Sequence, residues 1–80
     1  MHELAVAQSI VEKVEETAAG RKVRRVTVEI GERSCVSGEA LSFSFGLVAE
    51  GTAVQGAVLD IVAVAGDALN LKNMEVEEAA

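Results

Sequence analysis

Apolar residues recur at steps of three and four from Leu4 to Ala18. Leu4, Ala7, Val11, Val14 and Ala18 form one stripe and Ile10 widens it, while Gln8, Glu12, Lys13, Glu15 and Glu16 take the other side. This spacing predicts an amphipathic helix over residues 2–19. Gly20 is placed to end it, and the positive charges of Arg21 and Lys22 suit a helix C-terminus. The period then changes to two. Val26, Val28 and Ile30 alternate with Arg25, Thr27 and Glu29, which predicts a half-buried strand over 23–30, ended by Gly31.

After a connector over 32–37, Ser37 is an N-cap candidate for a second helix, with Glu39 in its first turn. Leu41, Phe45 and Val48 repeat at four and three and give its buried side. Ala40 and Ser44 permit close approach to a sheet, and Phe43 and Leu47 lie partly on a different side. The helix is expected to run to Glu50, before Gly51. Residues 57–65 read as a strand that is apolar on both faces: Leu59, Ile61 and Val64 on one, Val58 and Val62 on the other, with Asp60 between them. That pattern predicts a central strand. Gly66-Asp67 has the chemistry of a tight hairpin turn. In a last strand over 69–78, Leu69 and Leu71 are one residue out of step with Met74 and Val76, which predicts a β-bulge at Lys72-Asn73.

The expected fold is therefore α+β, in the order α-β-α-β-β. Two helices cover one face of a three-stranded mixed sheet that ends in a C-terminal β-hairpin. The strand–helix–strand passage is expected to be right-handed if its strands are neighbours.

Eighty residues allow one small domain. Half of them are hydrophobic and a quarter charged, which fits a globular chain rather than a disordered one. A net charge of −6 and the absence of Trp and Tyr argue against nucleic acid as a partner. The basic run from Arg21 to Arg25 is too short to reverse that and reads as a solvated strand entry. No apolar run is long enough to span a membrane, and the N-terminus lacks the pattern of a signal peptide. Cys35 is the only cysteine and cannot form an internal disulfide. Together these features point to the cytoplasm. Within its connector Cys35 is expected to be a small buried residue rather than a nucleophile.

The inventory for catalysis is thin. One His and one Cys cannot make a tetrahedral zinc site unaided. There is no Ser-His-Asp set, no phosphate-binding loop and no dinucleotide motif. The carboxylate pairs Glu15-Glu16 and Glu77-Glu78 alternate faces and read as solvation. No enzyme is expected. The single His stands at position 2, one chelate ring from the α-amine of Met1. The amine, the His2 backbone nitrogen and its imidazole are neighbouring nitrogen donors of the kind that suits Ni(II) or Cu(II). An amide in the first turn of a helix has no intrahelical acceptor, so its use as a ligand breaks no helix bond. Glu3 adds a carboxylate at the same end. The plain alternative is that a His at position 2 is chance.

Several strings spread along the chain carry a resemblance. They are Met1-His2-Glu3-Leu4, Gln8-Ser9-Ile10-Val11-Glu12, Val26-Thr27-Val28-Glu29-Ile30-Gly31, Glu39-Ala40-Leu41-Ser42-Phe43-Ser44-Phe45, Glu50-Gly51-Thr52 and Met74-Glu75-Val76-Glu77. In this order they resemble the nickel metallochaperones of the HypA/HybF type, which help deliver nickel to [NiFe]-hydrogenase and, in some bacteria, to urease. The resemblance implies an Ni(II) site at Met1 through its amine, His2 through ring and backbone nitrogens, and Glu3 through its backbone or carboxylate. The Met1 amine is expected to survive, since methionine removal requires a small second residue. The resemblance also implies a maturation GTPase, docking near the first helix, and a hydrogenase precursor as partners.

The family carries a zinc domain with two C-x-x-C pairs between its last two main strands. Here that place holds only Ala65-Gly66-Asp67-Ala68. The expectation is a single nickel-binding domain over 1–80, with no zinc and a tight turn near 65–68. Without a covering module, the Val58 and Val62 face, or an edge strand, is expected to support self-association into a homo-oligomer. The alternative function is a non-catalytic interaction or dimerising scaffold that keeps the fold without metal transfer.

Overall fold

Burying one stripe of the first helix against a sheet requires two layers, and the computed structural model has them. It describes residues 3–77. The elements are α1 (Glu3–Ala18), β1 (Val23–Gly31), α2 (Gly38–Ala49), β2 (Val58–Val64) and β3 (Leu69–Val76). The α+β class, the element order and the three-stranded mixed sheet are as the periodicity predicts.

Helix α1 buries Val6, Ala7, Ile10, Val11, Val14 and Ala18. Leu4, expected on this stripe, is instead exposed, and Val6 takes a buried place. The helix stops where Ala19 and Gly20 turn to positive φ. The Ala18 carbonyl then accepts both the Arg21 backbone N–H at 3.1 Å and its Nε–H at 2.9 Å. A cation thus sits on the negative end of the helix dipole. Helix α2 begins at Ser37, whose hydroxyl accepts the Ala40 N–H at 3.3 Å. It buries Leu41, Phe45 and Ala49, and ends at Glu50 before Gly51, where φ is 76°.

Strand order is β2-β1-β3, with β2 parallel and β3 antiparallel to β1. This corrects two expectations. β1 is the central strand and β2 lies at an edge. The last two strands do not form a hairpin, because β1 lies between them. The doubly apolar pattern of β2 has another cause: Leu59 and Ile61 pack toward the core, while Val58 and Val62 are left in solvent. β1 reads as half-wet because helices cover only one face of the sheet.

Two irregularities repair the phase of the strands. Val28 pairs with Leu71 and Thr27 with Asn73, so Lys72 is the extra residue of a bulge, as the out-of-step apolar pairs predict. A second shift lies between Val23–Val76 and Arg25–Glu75 and makes Arg24 the extra residue on β1. Val23 and Val26, three apart, are for that reason both fully buried.

Residues 65–68 form a strap that carries the chain from β2 past the end of β1 to β3. Gly31 N–H donates to Ala68 O at 2.7 Å, Glu32 N–H to Val64 O at 2.9 Å, and Arg33 N–H to Gly66 O at 2.8 Å. The contact is so close that a Cβ on Gly31 would collide with the Gly66 carbonyl and lie 2.7 Å from Ala68 N. The glycine read as a strand terminator is thus required by the crossing backbone.

Candidate functional site

The two helices run side by side in the same direction. Their starts are joined when the Glu3 carboxylate accepts the Ser37 backbone N–H at 3.0 Å. Near their far ends the Glu15 carboxylate accepts the Ala53 N–H at 3.3 Å, so Glu15 ties a loop rather than serving solvation alone. One end of the molecule therefore collects the start of α1, the 32–37 connector and the cap of α2. The strap over 65–68 is bonded to the first residues of that connector.

Of the predicted ligands Met1, His2 and Glu3, only Glu3 is among the described residues; Met1 and His2 lie outside them. Glu3 is partly buried and opens α1. Its carboxylate accepts from the cap residue of α2, where the positive end of that helix dipole favours an anion. Ser37 is thus both the helix cap and the attachment point of Glu3. The capping role was legible in the sequence. The second role was not, because no local pattern links residues 34 positions apart.

Cys35 lies in the same connector. It is exposed, with φ of 63°, and its thiol donates to the Arg33 carbonyl at 3.8 Å. The expectation that it is buried is corrected: the connector turns through a left-handed residue on the surface. Among the described residues, no three His, Cys, Asp or Glu side chains gather in a metal-binding cluster.

The basic run disperses as expected of a solvated entry. Arg21 caps α1, Lys22 donates to the Gln55 carbonyl, and Arg25 pairs with Asp60 at 2.6 Å across the open face of the sheet. No helix among the described residues is long and apolar enough to cross a membrane.

Comparison with known proteins decides the family. Residues 1–76 match the family model described as hydrogenase/urease nickel incorporation, metallochaperone, hypA. The chain belongs to the HypA family. The hydrogenase maturation factor HypA of Trichormus variabilis is 47% identical over 66 residues, covering 82% of this chain and 58% of the relative. That of Legionella pneumophila is 42% identical over 72 residues, covering 86% and 64%. The solution structure of the Ni metallochaperone HypA from Helicobacter pylori superposes with a TM-score of 0.73 at 31% identity, covering 91% of this chain and 72% of that one. The chain therefore spans roughly three fifths of the length of the curated relatives, 58% for the Trichormus protein. The family is described as one of metallochaperones, which are not enzymes, and this HypA-family chain is classed with them.

Proposed function

We propose that this chain binds Ni(II) as cargo at Met1, His2 and Glu3 and hands it on during maturation of [NiFe]-hydrogenase, or of urease. The family match, which begins at Met1 and runs through residue 76, carries this reading. The donors are the Met1 amine, the ring and backbone nitrogens of His2, and Glu3. Glu3 contributes through its backbone or its carboxylate. Its carboxylate also accepts the Ser37 backbone N–H at 3.0 Å. Nitrogen donors in this arrangement suit Ni(II). A site at a chain end leaves the ion open to capture by a receiving protein.

The natural receivers for such a chaperone are a maturation GTPase and the hydrogenase precursor, in the cytoplasm. The strap over 65–68 stands where the zinc module of the resemblance would be inserted. Its backbone is hydrogen-bonded to Gly31 and Arg33, which supports one continuous domain over these residues.

The test is an Ni(II) titration of the untagged chain beside the same chain with one residue added before Met1, followed by calorimetry and visible absorption. One equivalent bound by the untagged chain alone is the expected result. Equal binding by both would remove the N-terminal site. His2→Ala is expected to abolish stoichiometric binding and leave the far-UV circular dichroism unchanged.

The exposed valines of β2 favour a second reading, an association scaffold without metal transfer. A one-residue N-terminal extension separates the two, because it blocks the metal site and spares association.

A further inference from the structure

The two edges of the sheet are not alike. On β3 the bulge at Lys72 breaks the ladder, and Lys72 and Glu75 put charges along the strand. These are the devices by which natural sheets keep an edge from pairing with another chain. β2 has no bulge and a single charge. Its register with β1 is unbroken over seven consecutive pairs. It contains no proline, and its one charged residue, Asp60, is paired with Arg25 of β1 at 2.6 Å. Val58 and Val62 are 49% and 37% exposed.

The direction of its free backbone groups follows from one hydrogen bond. Val64 O accepts from Glu32 N–H at 2.9 Å, and Val64 pairs with Gly31. The backbone of Val64 therefore faces β1. Strand alternation turns Val62, Asp60 and Val58 the same way and points the N–H and C=O groups of Leu59, Ile61 and Ala63 outward.

We propose that β2 is a self-association edge, pairing antiparallel with β2 of a second copy about a two-fold axis at Ile61. This inference is independent of the metal site. Ile61 sits at the centre of the seven-residue strand and has outward-facing backbone groups, so it exchanges both of its hydrogen bonds with Ile61 of the second copy. Leu59 and Ala63 exchange theirs across the axis. Side chains agree with this register. Leu59 and Ile61 of both copies lie on the helix-covered face and extend the core. Asp60 falls opposite Val62 of the second copy, so no like charges meet directly. An isologous pair closes on itself and leaves only the guarded β3 edges outside, giving a dimer rather than a fibre.

Other surfaces fit a second copy less well. The outer side of α2 exposes Phe43 and Leu47, but acidic Glu39 and Glu50 stand at its two ends. An antiparallel pair of such helices would bring acid against acid. With each copy carrying a charge of −6, pairing through β2 strengthens as salt is added.

Sedimentation velocity on the native chain, from low to high micromolar concentration, tests the proposal together with three variants. The native chain is expected to pass from monomer to dimer, further so at high salt. Val62→Glu puts a like charge opposite Asp60 twice per dimer and is expected to weaken association about tenfold or more. Val62→Lys, of similar bulk, puts an opposite charge there and is expected to hold association at or above the native strength. Ala63→Pro removes an outward N–H without touching the β1 ladder and is expected to give a folded monomer. A concentration-independent monomer mass for the native chain overturns the proposal. So does equal weakening by Val62→Glu and Val62→Lys, which keeps the test decisive even if Ala63→Pro fails to fold.

Discussion

The Glu3 carboxylate accepts the backbone N–H of Ser37 at 3.0 Å, linking the first residue of α1 to the cap of α2. The one residue of the proposed nickel site that is among the described residues is thereby fixed to the second helix. The contact gives the first residue of α1 a defined position relative to the 32–37 connector.

Loss of that anchor has a measurable signature. Glu3→Ala is expected to cost about 1 kcal/mol, the scale of a hydrogen bond to a charged group reduced by its exposure to solvent. Glu3→Gln keeps an acceptor oxygen and should lose about half of that. Urea denaturation gives the energies. Amide hydrogen exchange should accelerate at Ser37 in Glu3→Ala more than at Leu41. Unchanged exchange at Ser37 would contradict the anchor.

Two glycines should respond to alanine with opposite sign. At Gly31 a Cβ meets the backbone of the strap, with Ala68 N at 2.7 Å. Backbone must move, and a loss of about 2–3 kcal/mol is expected, as for overpacked sites. At Gly46, within α2, a Cβ meets nothing within 4 Å. There Gly46→Ala should stabilise by about 0.5–1 kcal/mol through helix propensity alone. Thermal unfolding of the two variants reads both signs in one experiment.

Two phenylalanines two residues apart make a similar contrast. Phe45 is 3% exposed and Phe43 is 71% exposed. Phe45→Ala is expected to cost about 3–5 kcal/mol, enough to unfold much of so small a domain. Phe43→Ala should stay within about 0.5 kcal/mol. Equal losses in chemical denaturation would mean that α2 is rotated from the orientation described above.

The pair between Arg25 and Asp60 is short at 2.6 Å, yet both side chains are nearly half exposed. Its coupling energy, from a double-mutant cycle with Arg25→Ala and Asp60→Ala, is expected to be below about 1 kcal/mol and to shrink in molar salt.

What the sequence determined by itself is local. Apolar spacing, Ser37 as a cap and Gly20 and Gly51 as stops placed every helix and strand to within one or two residues, because each signal acts over a single turn or a few alternations. Even the bulge at Lys72 was legible, since a one-residue phase slip within a strand has only that remedy. The Met1-His2-Glu3 triplet was legible as a family string. Only the tertiary structure decided which strand is central. An apolar face of β2 reads the same whether it is covered by a layer or left in water, and backbone pairing leaves no mark on side-chain periodicity. The same holds for the strap that makes Gly31 obligatory and for the bond from Glu3 to Ser37. Both join residues more than thirty positions apart, and they exist because the chain folds β1 between its last two strands and sets its helices in parallel.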